Sequence, residues 1–380
     1  MGAPVTDVAR DDLVARLLEH CRTMCVTGEE GPIADAVEAR YRAAGEAVTR
    51  VGHSVVAGGR RADRDVPLVL LVGHLDVVAP TEDDRAPRVE VRDGEEVVAA
   101  RGTSDMKAGN VVAMRAFEDA ELRATSPYDL ALVLYAGEEG DQASNELRSV
   151  LAAVPWLAEA DLAIVLEPTD GGVHLGCLGS LQAEVTFVGR QAHSARPWHG
   201  ENALTKAGAF LAELHDDHLV DVEVDGIAYR DAWSATLAWT AGLEPGPARG
   251  GTVFRNVIPG RFTVNLNLRF APSRGLPEAE AELHARVAGR AEVTIIDRSP
   301  PAPPNTDAPV VAAFVATVDA PVAAKQAWTD VARFAEIGVP ALNYGPGLTA
   351  QAHQRGEFVP VQALVDADTQ LRRFLTTRPS

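Results

Sequence analysis

Cysteine is scarce in this chain: Cys21, Cys25 and Cys177 are the only three in 380 residues. So few cysteines exclude a disulfide framework and a cysteine-rich zinc site. Long apolar runs are missing as well, none approaching the ~20 residues that a membrane-spanning helix needs. Positive charge is in short supply, with 35 Lys and Arg against 54 Asp and Glu and a formal net charge of −19. Nucleic acid and anionic membrane are therefore not expected as partners, because both would be repelled. The first residues, Met1 to Val8, have neither the basic start nor the apolar core of a secretory leader, so the expected location is the cytoplasm. No internal repeat, no low-complexity tract and no G-x-S-x-G turn occurs. Without such a turn the neighbours His193 and Ser194 have little support as a base and its nucleophile. What is left, 46% apolar and 23% charged residues, is ordinary for a globular chain long enough to hold more than one domain.

The informative stretch opens at Val66 with V-P-L-V-L-L-V-G-H-L-D and resumes at Arg101 with R-G-T-S-D-M-K-A-G. The first piece reads as a strand buried on both faces that stops abruptly at His74 and Asp76. A buried strand has no use for these two residues unless they sit at its end, facing a cleft. Leu130 to Tyr135 behaves likewise, leading into Gly137-Glu138-Glu139, and Leu162 to Leu166 leads into Glu167. Strands that finish in acid or imidazole predict a parallel sheet with a site along its carboxyl edge.

Helical spacing is expected over Asp11 to Met24, Gly31 to Ala44, Met106 to Leu122 and Leu147 to Ala158, with a strand over Ala47 to Val56 and a hairpin about Asp93-Gly94. From Gly179 the pattern changes. Strands at Leu181 to Val188, Trp233 to Thr240, Phe262 to Phe270 and Ala291 to Ile296 alternate with helices at Asn202 to His215 and Leu276 to Ala288. That β-α-β-β-α-β order describes a small antiparallel sheet backed by two helices. The Pro300-Pro301-Ala302-Pro303-Pro304 segment then leads back to the first architecture. The expected fold class is α/β with two domains: a catalytic α/β domain with a largely parallel central sheet over 1–179 and 296–380, and an inserted α+β domain over 180–295.

The strand ends supply metal-ligand chemistry. His74 and Asp76, two apart on a strand, point the same way. One can bind a metal while the other accepts the imidazole's second N–H. Asp105, Glu139 and Glu167 add oxygens, which is too many ligands for one four-coordinate ion but suits two ions ~3.5–4 Å apart. Glu138, next to a ligand, is left as a general base. Each of these residues alone would more often be structural; the joint pattern carries the reading.

With these motifs the sequence resembles the zinc amidohydrolases and carboxypeptidases, the family of succinyl-diaminopimelate desuccinylase, acetylornithine deacetylase, aminoacylase and glutamate carboxypeptidase. G-H-L-D-V-V at Gly73, R-G-T-S-D-M-K-A-G at Arg101, A-G-E-E-G at Ala136, L-E-P-T at Leu166 and H-S-A-R-P-W-H-G-E-N-A at His193 arrive in the family's order. The resemblance implies two Zn(2+) per subunit, with Co(2+) as a substitute: His74 and Glu167 on one ion, Glu139 and His353 on the other, Asp105 between them. It implies that Asp76 orients His74 and that Glu138 is base and then acid. It further implies that His193 stabilises the oxyanion in the partner subunit of a homodimer built through the inserted lid domain.

W-T-D-V-A-R-F at Trp328 and N-Y-G-P-G at Asn343 are similar to the desuccinylase branch, which implies N-succinyl-L,L-2,6-diaminopimelate as the small-molecule substrate. Asn256, Arg269 and Thr329 match the family's substrate contacts. Gly176-Cys177-Leu178-Gly179-Ser180 departs from the pattern, with Cys-Leu where some relatives carry arginine. The alternatives are another acyl-amino-acid hydrolase, such as an acetylornithine deacetylase or a metallocarboxypeptidase, and, more distantly, a non-catalytic scaffold.

Overall fold

The computed structural model describes residues 7–61, 64–140, 142–216, 218–240 and 255–378. Most of the stretch read above for a secretory leader, Met1 to Thr6, lies outside the described residues. The chain forms two compact units. One takes in everything up to Gly176, Pro304–Lys325 and the chain from Thr329 onward; the other is Cys177–Pro303 with Gln326–Trp328.

In the first unit an eight-stranded sheet has at its centre four mutually parallel strands, Asp129–Tyr135, Leu68–His74, Leu162–Val165 and Ala341–Asn343. Every residue of Leu68–His74 and Asp129–Tyr135 is buried, which requires cover on both faces and explains their unbroken apolar sequences. Helix Ala108–Glu118 packs on both strands, and helices Asp7–Arg22 and Val361–Thr376 pack on it. Because the central strands run in parallel, His74, Tyr135 and Val165 all finish at one edge of the sheet. The chain leaves each of them straight into the acidic turns expected to carry the site.

Local structure differs from expectation where turn chemistry intervenes. The predicted strand over 47–56 is a hairpin, Val48–Val51 against Ser54–Gly58, reversed at Gly52 with φ +57°, the left-handed value a two-residue hairpin loop demands. The helix expected over 106–122 stops at Glu118, because Asp119 adopts extended backbone and caps a new helix through the Leu122 amide. The helix from Leu147 ends at Ala153, ahead of Pro155, whose ring cannot continue it. A three-stranded antiparallel sheet pairs Phe358–Pro360 with the Glu95–Ala99 and Arg88–Arg92 hairpin.

The second unit is a five-stranded antiparallel sheet in the order Leu219–Val224, Ile227–Thr240, Arg261–Phe270, Gly179–Val188, Glu292–Ser299. Its core joins Leu181, Val185 and Phe187 to Val264, Leu266 and Leu268, and to Phe210 and Leu283 from the helices. The edge strand Leu219–Val224 adds to the expected order; it is turned by Asp225 and Gly226, both at positive φ. Among the described residues no helix is long and apolar enough to cross a membrane.

Candidate metal centre

His74 ends its strand fully buried. The backbone just before it must be bare: a Cβ on Gly73 would stand 1.9 Å from Asn110 Oδ1, and Asn110 Nδ2 donates to the His74 carbonyl at 2.6 Å. The ring is fixed at both nitrogens, Nδ1 lying 3.0 Å from the Asp76 carbonyl oxygen and Nε2 3.2 Å from Asp105 Oδ1. An Nδ1–H donated to that carbonyl leaves Nε2 free as a ligand atom.

Asp76 does more than face His74. Its carboxylate is 3.7 Å from Nδ1, but it accepts the backbone amides of Glu138 at 3.1 Å and Glu139 at 3.0 Å, and the Thr27 hydroxyl at 2.9 Å. The buried acid therefore ties the strand end carrying His74 to the turn carrying both glutamates. Gly137 makes that turn possible with φ +79°, where a Cβ would meet Ser144 O at 2.0 Å.

His74, Asp105 and Glu139 bring ligand atoms within 4.8 Å of one another. His353 joins from the far end of the chain, its Nε2 2.7 Å from Glu139 Oε2 and 3.6 Å from Asp105 Oδ2. Glu167 is buried at the end of the third strand, and its Oε1 has no hydrogen-bond partner among the described residues. Its Oε2 lies 3.8 Å from the ammonium of Lys325, a buried lysine that donates to Pro168 O at 2.7 Å.

The electrostatics of this cluster call for a cation. Burial, then the Asp105 charge, pushes the Glu167 carboxyl up to about 7 against the pull of Lys325. Burial, then Glu167, raises Glu138 well above the ordinary carboxylate range. His74 is raised too, because the hydrogen bond to Asp105 and the surrounding carboxylates outweigh the burial that opposes its charge. Burial and close like charge both favour a neutral carboxyl, and a bound cation relieves the same strain by supplying positive charge. Two imidazoles and three carboxylates, one of them with an orphaned oxygen, fit divalent transition-metal ions.

The other sequence-derived residues are placed as follows. Thr329 is buried, its hydroxyl donating to Asn343 Oδ1 at 2.8 Å. In the second unit His193 is exposed, and its Nδ1 accepts the Ala195 amide at 3.1 Å. Asn256 lies alongside, its carbonyl accepting the Ser194 amide at 2.8 Å. Arg269 donates from Nε to Asn267 at 3.0 Å and lines a cavity with Leu178, Tyr229 and Gln326. Cys177 is buried. Sequence reasoning missed Asp84, Arg101, Lys325 and Glu357, all buried against the metal centre or the loop that carries Asp105.

Residues 70–377 match the sequence model of peptidase family M20/M25/M40. A Mycobacterium tuberculosis protein provisionally named succinyl-diaminopimelate desuccinylase DapE is 38% identical over 352 residues, 91% of this chain and 93% of that one. The succinyl-diaminopimelate desuccinylase of Corynebacterium glutamicum is 35% identical over 363 residues, 92% of each chain. In fold, an M20 family metallo-carboxypeptidase from Sulfolobus solfataricus superposes with a TM-score of 0.72 at 16% identity, covering 97% of this chain and 99% of that one.

Proposed function

This chain belongs to peptidase family M20/M25/M40 and is a hydrolase acting on amide bonds, and from that premise we propose that it cleaves N-succinyl-L,L-2,6-diaminopimelate to succinate and L,L-2,6-diaminopimelate. The reaction class is carried by one observation, the convergence of His74, Asp105, Glu139 and His353 beside a buried carboxylate with an unpartnered oxygen. The choice of substrate is supported by the two desuccinylases at 38% and 35% identity.

In this reading His74 and Glu167 would hold one Zn(2+) and Glu139 and His353 a second, with Asp105 available to both and Co(2+) as a substitute. Two such ions supply Lewis acidity to the amide carbonyl and to water. The chain's own residues do the rest. Asp76 pins the Glu138 and Glu139 amides, so that base and ligand keep a fixed spacing. Glu138 takes the proton of the attacking water and returns it to the leaving amine.

The remaining roles rest on the motif resemblance. His193 stabilises the oxyanion in the partner subunit of a homodimer, the second unit serves as lid and dimer-forming domain, Asn256, Arg269 and Thr329 contact substrate, and the enzyme works in the cytoplasm. His193→Ala is expected to lower kcat by roughly a hundredfold or more, the order of effect of a lost oxyanion donor, while zinc content stays at the wild-type level. Unchanged kinetics would remove it from the mechanism.

The direct test offers zinc-loaded protein N-succinyl-L,L-2,6-diaminopimelate and N-acetylornithine side by side, with a metal-free control. Zinc-dependent preference for the succinyl substrate is the expected result. Turnover of the acetyl substrate alone would keep the reaction class and move the enzyme to another branch of the family. Silence on both would overturn the substrate reading.

A further inference from the structure

Glu357 takes no part in the chemistry above, yet it is only 1% exposed and accepts four hydrogen bonds. Oε1 takes the amides of Ser104 at 2.7 Å and Asp105 at 3.0 Å; Oε2 takes the amide of Gly102 at 2.9 Å and Arg101 Nη1 at 3.0 Å. Three of the four donors are thus backbone amides of the loop that carries Asp105. Neighbouring bonds close the same seam. The Ala100 amide donates to the Glu357 carbonyl at 3.2 Å, and the Ser104 hydroxyl to the Phe358 carbonyl at 2.7 Å. Asp84 Oδ2 accepts the Gly356 amide at 3.0 Å and lies 3.0 Å from Arg101 Nη2. Leu348, ahead of His353, donates its amide to Ser104 Oγ at 3.1 Å.

We propose that Glu357 is a positioning residue of the metal centre, a latch that fixes the Asp105 loop against the segment carrying His353. The inference rests on the di-metal reading given above. A carboxylate that bridges two ions must be placed within about half an ångström, and Asp105 sits where the backbone of the Thr103–Lys107 turn is non-helical. Glu357 replaces that missing frame, since its carboxylate grips the Asp105 amide itself, two bonds from the ligand's Cβ. A role confined to neutralising Arg101 would need one hydrogen bond, and three of the four go elsewhere.

Glutamine cannot stand in. Each carboxylate oxygen serves two donors, so whichever way an amide is turned, its NH2 faces two N–H groups and accepts from neither. Full-length wild type, Glu357→Gln, Glu357→Asp and Leu122→Ala would be stripped of metal and titrated with Zn(2+) against a chromophoric chelator, and with Co(2+) followed by its visible spectrum. Leu122→Ala truncates a core residue on a helix that carries no site residue, and so controls for lost stability alone.

Glu357→Gln is expected to weaken metal affinity by roughly tenfold or more, as loss of a ligand's supporting partner does. It should also alter the Co(2+) spectrum and lower kcat more than it changes KM. Leu122→Ala should keep wild-type affinity at a lowered Tm. Wild-type affinity and spectrum in Glu357→Gln would overturn the latch, leaving Glu357 a stabilising residue only. If Glu357→Gln does not fold, Glu357→Asp, whose carboxylate is shorter by one methylene, carries the same two readouts, and wild-type values there overturn it equally. A wild type that binds neither ion would sink the di-metal reading and the latch with it, an outcome distinct from equal binding by wild type and variants.

Discussion

Glu138→Gln will retain metal close to the wild-type level and turn over substrate about a thousandfold more slowly, within the range a lost general base produces. The change is isosteric, and the anchoring of the turn does not depend on the side chain, because Asp76 grips the backbone amides of Glu138 and Glu139. What is lost is the capacity to take and return a proton. Burial, then Glu167, raises the Glu138 carboxyl, so this acid stands in the environment where a proton can be held and released rather than in that of a solvated carboxylate. Metal content by mass spectrometry and kcat on the same preparation check the two halves separately. A variant that kept most of its activity would take Glu138 out of the mechanism. One that lost both activity and metal would make it a ligand instead of a base.

The part of this site that was legible in the sequence is the part built by strands. Apolar runs ending in His74, Glu138-Glu139 and Glu167 announce their positions because a parallel sheet brings every strand end to one edge, and no long-range information is needed beyond that. The rest is held by contacts that no local pattern encodes. His353 approaches Glu139 from the far end of the chain, and only the family resemblance placed it. Glu357 reads as one acid among many until Phe358–Pro360 pairs with Glu95–Ala99 and delivers it to the Asp105 loop. Lys325 is a buried cation because the Val322–Ala324 strand pairs in parallel with Val173–Leu175, an arrangement invisible in either segment alone.

Asp76 shows a subtler limit. Spacing put it on the same side as His74, but not its second task of gripping the amides of a turn distant in sequence. In the second unit, Val264, Leu266, Leu268 and Phe270 alternate with Thr263, Asn265, Asn267 and Arg269 along the Arg261–Phe270 strand, yet alternation cannot show that the polar face is covered as well. Thr263 pairs with Thr186, and Asn265 donates to Thr236, with Thr186, Thr263 and Asn265 themselves buried. The missed hairpin at Asp225-Gly226 was an error of a different kind, since Asp-Gly between strand-forming residues is a strong local turn signal.

Metal removal should have the other large effect, and its dependence on pH has a definite sign. Glu167 titrates at about 7 in the metal-free fold against an ordinary 4.5. Between those values the folded state binds more protons than the unfolded chain, so stability falls as pH rises. The contribution is fully present below 4.5 and lost as pH passes through 7. Glu138, raised by burial and then by Glu167, acts in the same direction, and so does His74, whose stabilising contribution is full below its ordinary 6.5 and declines above it. Asp105 is lowered, its hydrogen bond to His74 overcoming burial, and its linkage acts only at more acid pH. The metal-free protein should therefore lose Tm steadily from about pH 5 towards about pH 8, with the metal-induced rise in Tm growing over the same interval. An ion present at a hundred times its Kd adds about 2.7 kcal/mol per site; at a fixed ion concentration the Kd falls as the ligands lose their protons, so the gain is larger at about pH 7.5 than at about pH 5. Glu357, raised to about 7 by burial, has the same sign but is no ligand, so part of the fall should persist in the loaded enzyme. Thermal melts with and without chelator across this range provide the check. A metal-induced increment that stayed flat with pH would mean that the protons displaced by the ions do not reside on Glu138, Glu167 and His74.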